Sequence, residues 1–246
     1  MSFDLEIKPL KTNKSDIKTN AFMDAHIIPK HPSSVLFCGK SGSGKTNLLM
    51  TLMNNEKYYK NYFDMIFLFS ATADFGGDDL YKNHTDIPDD HMFKPDKDGI
   101  KQLAHIIKTQ KKIIKDKGIV KAPRILIIFD DVAHARKFLA SKEYLMLHIA
   151  NRHLNISTFS LMQSYVKMPR SCRCQVNAVF FFSGATNTEK LRLSEEHCPS
   201  NYDEKEFLEI INYAIKEKYN FLYKNNRAPP SERYKKNLTT ILKLTR

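Results

Sequence analysis

The stretch "SSVLFCGKSGSGKTNLLMTLMNN", residues 33–55, constrains the fold of this chain more than any other. "SSVLFC" is short, apolar and rich in β-branched and aromatic residues, which predicts a buried strand. "TNLLMTLMNN" (46–55) places Leu48, Leu49, Leu52 and Met53 on one side of a helix. Between them, Gly39 to Thr46 fits G-x-x-x-x-G-K-[ST] at every fixed position. Glycines at those positions let the backbone wind tightly, so that successive N–H groups form an anion nest at a helix N-terminus. The lysine of such a loop, here Lys45, reaches the β- and γ-phosphates, and the Thr46 hydroxyl ligates Mg²⁺. Candidate nucleotide-binding residues are therefore Gly39, Lys40, Ser41, Gly42, Ser43, Gly44, Lys45, Thr46 and Asn47.

A second feature needs a cation. "RILIIFDD" (124–131) ends an apolar run in two adjacent carboxylates, which repel unless something positive lies between them. A strand next to the phosphate-loop strand that ends in an Asp helps hold Mg²⁺ in nucleotide hydrolases, and Asp130 fits that role. Asp131 would face the γ-phosphate and polarise the attacking water, or else serve only as an N-cap. "TFSLMQSY" ends a further apolar strand in Gln163 and Ser164. Beside the acid strand, Gln163 would sense the γ-phosphate. An extra strand between phosphate loop and paired acids, followed by a polar sensor, is the additional-strand layout of ring-forming motors. Such rings need an arginine aimed at the neighbour's nucleotide. Arg152, Arg170 and Arg173 lie near strand ends after Asp131.

Around these motifs the chain alternates strands with helices. Strands are expected at 63–72, 124–131, 156–164, 177–183 and 219–225, and helices at 100–118, 142–153, 186–198 and 203–218. Central strands apolar on both faces argue an α/β domain with a mostly parallel sheet flanked by helices. Residues 1–30, polar and without periodicity, read as an N-terminal arm; 31–246 read as the ATPase domain, with a helical and strand extension from about 200. The 246 residues carry 39 Lys and Arg against 27 acids, a net +12 that favours an anionic partner such as nucleic acid. No apolar run approaches the roughly 20 residues of a spanning helix. The N-terminus lacks a signal peptide's apolar core, so a soluble, non-secreted protein with free thiols is expected. Cys172, Cys174, His197 and Cys198 match no zinc spacing.

"LFCGKSGSGKTNLL", "RILIIFDD", "NRHLNISTFSLMQSYVKMPRSCR" and "NAVFFF" follow one another as in the poxvirus-type genome-packaging ATPases of large DNA viruses and virophages. These belong to the FtsK–HerA superfamily of P-loop NTPases. The resemblance runs from about Pro32 to Phe182, and more weakly through "RAPPSERYKKNL". It implies an ATP- and Mg²⁺-dependent motor that works as a homo-oligomeric ring. Such a motor pumps double-stranded DNA into a capsid and contacts capsid proteins in the host cytoplasm or virion. By the family's pattern Asp130 binds metal, Asp131 catalyses, Gln163 senses, and Arg152, Arg170 or Arg173 is the finger. Many relatives carry Asp-Glu where this chain has Asp-Asp. The lysine-rich segments 108–121 and 216–236 are candidates for gripping DNA. A helicase-like or plasmid-transfer motor shares the ATP chemistry, and a nucleoside or nucleotide kinase shares the phosphate loop.

Overall fold

The computed structural model describes residues 27–72, 81, 85, 87–200 and 202–243. Most of the expected N-terminal arm lies outside them, as do residues 73–80, 82–84 and 86. The described residues form one nine-stranded sheet in the order β3-β2-β4-β5-β1-β6-β7-β8-β9. Its strands are β1 Ser34–Cys38, β2 Met65–Ser70, β3 Met92–Phe93, β4 Ile125–Asp130, β5 Ile156–Met162, β6 Ala178–Phe182, β7 Phe221–Asn225, β8 Tyr234–Lys236 and β9 Thr240–Ile241. Strands β1 to β6 are parallel, and β7 to β9 extend the sheet antiparallel from β6.

Parallel strands need crossovers, and the helices supply them on both faces. Helix α1 (Lys45–Asn54) covers one face, where Leu49 and Leu52 meet Val35, Phe37, Leu126, Phe159 and Phe180. The other face holds α2 (Lys97–Lys117), α3 (Arg136–Leu139), α4 (Lys142–Ile149), α5 (Asn151–Leu154), α6 (Arg170–Arg173), α7 (Asn187–His197) and α8 (Glu204–Ala214). Alternation along each strand divides the two cores: Ile125, Ile127 and Phe129 of β4 point to one, Leu126 and Ile128 to the other. With both faces covered, a continuous apolar run is the pattern a central parallel strand requires.

Three expectations need correction. The acid strand does not adjoin the phosphate-loop strand, because β5 lies between them, Ile156 pairing with Ile125 and Thr158 with Ser34. Gln163 is thus carried by a strand next to both. The helix expected over 142–153 is two pieces, α4 and α5, separated at Ala150, so Asn151 and Arg152 begin a new short turn. The helix expected to 218 ends at Ala214.

Candidate functional site

The carboxyl ends of β1, β4, β5 and β6 converge on a cleft of about 650 Å³. Its floor is the loop between β1 and α1. Gly39 is enclosed: a Cβ there would stand 2.7 Å from both Phe182 Cβ and Ser43 Oγ. Its amide donates to the Met162 carbonyl at 3.1 Å, tying the loop to β5. Gly42 and Gly44 have φ of 73° and 100°, which only glycine adopts readily. The Gly44 turn launches α1 at Lys45, so the free N–H groups of its first turn face the cleft. The Lys45 ammonium donates to the carbonyls of Gly39 at 2.7 Å and Lys40 at 3.0 Å. Burial lowers its pKa, and the charges of Asp130 and Asp131 oppose that shift.

Asp130 closes β4 in register with Leu161 of β5 and Ser70 of β2. Its carboxylate accepts from the Tyr81 hydroxyl at 2.7 Å. Burial raises its pKa and Asp131 adds to the rise, while Tyr81 and Lys45 work against it. Asp131 leaves the strand with φ 51° and ψ 36°. That left-handed conformation costs a non-glycine residue on the order of 1 kcal/mol and persists only where its surroundings impose it. Asp131 stands at the head of the short turn Val132–His134, yet its side chain makes no capping bond. Its carboxylate instead accepts from Gln163 Nε2 at 2.7 Å. The structure therefore joins the two residues that the sequence singled out separately.

Thr46, Asp130 and Asp131 all line the cleft. A hydroxyl and one or two carboxylates suit Mg²⁺, which keeps waters and phosphate oxygens as its remaining ligands. Among the described residues no group of three or more His, Cys, Asp or Glu is placed to hold a metal ion. The described cysteines are free thiols.

The arginines separate by position. Arg152 is exposed on α5, which precedes β5, so it sits at the amino ends of the strands, away from the cleft. There it faces Arg227, whose pKa falls through burial and then through Arg152's charge. Arg173 is buried and committed: it forks onto Glu196 at 3.0 and 2.7 Å, donates to the Met168 carbonyl at 2.6 Å and stacks over Tyr165. Arg170 is exposed at the start of α6. Of the lysine segments, 108–121 presents exposed lysines along α2, whereas Lys224 and Lys235 of 216–236 turn inward. Residues not foreseen in the cleft include Thr51, Thr72, Leu161, Phe182, Tyr219 and Phe221, with Tyr81 behind Asp130.

Fold and site together define a P-loop ATPase, its phosphate-loop strand separated from the acid strand by the strand that leads into Gln163. The chain belongs to the family described as poxvirus A32 protein, genome-packaging ATPases, whose model matches residues 20–226. No curated protein sequence matches it. Similar solved structures include the genome packaging NTPase B204 of Sulfolobus turreted icosahedral virus 2 bound to ATP-gammaS. It is 15% identical with a TM-score of 0.55, the match covering 86% of this chain and 98% of that one. B204 described as the DNA-packaging ATPase of Sulfolobus turreted icosahedral virus gives 15% and 0.55, over 80% and 94%. ATPases 2 and 3 of EssC from Geobacillus thermodenitrificans give 14% and 0.54, over 79% and 38%. At these identities the likeness speaks for the fold. Among the described residues no helix is long and apolar enough to cross a membrane.

Proposed function

We propose that the chain is an ATP-driven motor that moves double-stranded DNA into a viral capsid, hydrolysing ATP to ADP and phosphate. The observation that carries this is the Gln163–Asp131 hydrogen bond in the same cleft as Lys45, Thr46 and Asp130. Phosphate-binding and water-activating groups thus share one space. Lys45 and the loop N–H groups take the triphosphate's negative charge. Asp131, held by Gln163, accepts the proton of the attacking water. Mg²⁺, bound by Thr46 and Asp130, would neutralise charge on the β- and γ-oxygens. The Gln163 amide carries two N–H donors, and rotation of its side chain can exchange the Asp131 carboxylate for a γ-phosphate oxygen as acceptor. That exchange would report nucleotide state to β5 and the segment beyond it.

Family membership supports the packaging task, as does the match to proteins described as packaging NTPases. The net +12 suits a partner that is a chain of phosphates. Double-stranded DNA and capsid proteins are the partners, in a homo-oligomeric ring in the host cytoplasm or the virion. Arg170, exposed and unlike the ion-paired Arg173, is the better placed finger for a neighbouring subunit. ATP hydrolysis by purified protein, with and without long duplex DNA, tests this. Duplex should stimulate turnover, and Lys45→Ala and Asp131→Asn should each abolish it. Turnover by assembled protein that ignores duplex but phosphorylates an added nucleoside would replace the motor with a kinase.

A further inference from the structure

The sheet order gives the cleft a direction. Asp130, Asp131 and Gln163 sit on β4 and β5, to one side of the phosphate-loop strand β1. Phe182, Tyr219 and Phe221 sit on or beside β6 and β7, to the other side. A triphosphate whose terminal phosphate lies by the acids therefore extends its nucleoside toward the aromatics. Phe182 and Phe221 are buried, with ring centroids 5.1 Å apart, and complete the wall. Tyr219 differs: it is 56% exposed, although it lines the cleft.

Tyr219 is also held in an uncommon conformation. Its φ is 70°, an outlier for a bulky residue. Neighbouring bonds enforce it: its amide donates to Ser183 Oγ at 3.2 Å, and the Ser183 amide donates to the Asn220 carbonyl at 3.0 Å. A Cβ added to Gly44 would stand 3.4 Å from Tyr219 Cδ1, so the ring edge borders the phosphate loop itself. The Lys218 ammonium lies 4.8 Å from the ring centroid. A strained, exposed aromatic is thus fixed at the rim of a phosphate site, with one ammonium against its ring.

We infer that Tyr219 is the platform on which the nucleobase stacks, a specificity contact that rests on the proposed nucleotide site. Stacking on one ring favours large purines over pyrimidines and reads no hydrogen-bonding edge, so adenine and guanine are treated alike. Tyr219→Asn is the variant of choice, because Asn tolerates the left-handed backbone and removes only the ring. It should raise the KM for ATP about tenfold and leave kcat within about twofold. Inhibition by inorganic tripolyphosphate, which has no base, should be unchanged. The chain has no tryptophan, so Tyr219→Trp installs a single reporter. Its emission should respond to a non-hydrolysable ATP analogue and not to tripolyphosphate. An unaltered KM in Tyr219→Asn would overturn the assignment. So would an equal loss of tripolyphosphate binding, since the ring would then be bracing the loop. Lys45→Ala should weaken both ligands; if it weakens neither, the phosphate site itself is misplaced, and not merely the base.

Discussion

Replacing Arg173 separates a structural arginine from a catalytic one. Its guanidinium and the Glu196 carboxylate form a two-pronged pair whose side chains are only 8% and 14% exposed. Solvent therefore screens the pair little, unlike a surface ion pair. The same guanidinium caps the Met168 carbonyl and lies 5.0 Å over the Tyr165 ring. Arg173→Ala would leave Glu196 with the Tyr165 hydroxyl as its remaining strong donor and Met168 without its guanidinium partner. Removing one partner of a buried pair costs about 3 kcal/mol or somewhat more. For a chain of this size each kcal/mol moves Tm by about 2–4 °C, so a drop of roughly 6–12 °C is expected. Arg173→Lys keeps the charge and loses the fork, and should fall between the two. Thermal unfolding followed by far-UV circular dichroism measures all three, and a double-mutant cycle with Glu196→Gln isolates the pair. An Arg173→Ala protein as stable as the parent, yet unable to turn over ATP once assembled, would refute this reasoning and make Arg173 the finger. Arg170→Ala should show the reverse pattern, with Tm unchanged and turnover of assembled protein down about 10³-fold.

Asp131→Asn keeps the left-handed backbone, so its Tm should match the parent while kcat falls at least about 10²-fold, measured by phosphate release. Asp130→Asn should raise the Tm of nucleotide-free protein at pH 7 while weakening Mg²⁺-dependent ATP binding. Burial lifts the Asp130 pKa above its usual 3.8, so its ionisation costs stability above the raised value and nothing below the usual one. Burial also lowers His31 to about 4 and His148 and His197 to about 3. Each is neutral when folded and charges on unfolding below about pH 6.5, so stability present above 6.5 is lost as pH falls toward 4. Between pH 6 and 5 the denaturation free energy should show a proton uptake approaching three, and His148→Gln should reduce it by about one.

The sequence carried most of the fold because the fold depends on burial on both faces. Runs such as Ile125–Phe129 and Ala178–Phe182 have no polar side for water, and only a central strand between two helical layers accommodates them. The phosphate loop was legible because its glycines and lysine are fixed in spacing by the backbone path around a phosphate. Strand order was less so: sequence gives the order along the chain, while which strands touch depends on crossovers that no local pattern encodes. β5 between β4 and β1 is one result, and the small β8 and β9 added beyond β7 are another. Tyr81 was invisible because a tyrosine in a polar segment has no local signature for a hydrogen bond to a residue 49 positions away.

The paired acids show where sequence stops and geometry begins. Successive residues of a strand point to opposite faces, so two acids at a strand end would ordinarily diverge. For both to reach one cleft the chain must leave the extended conformation between them, and Asp131 does so at φ 51°. Asp and Asn enter that region more readily than a longer side chain such as Glu. The same turn brings the carboxylate to Gln163, whose 2.7 Å hydrogen bond offsets part of the strain and fixes the direction of the acid. Asp at this position therefore has a backbone reason beside the chemical one proposed for it. A longer acid would reach farther into the cleft, but it would favour a turn that this loop does not make.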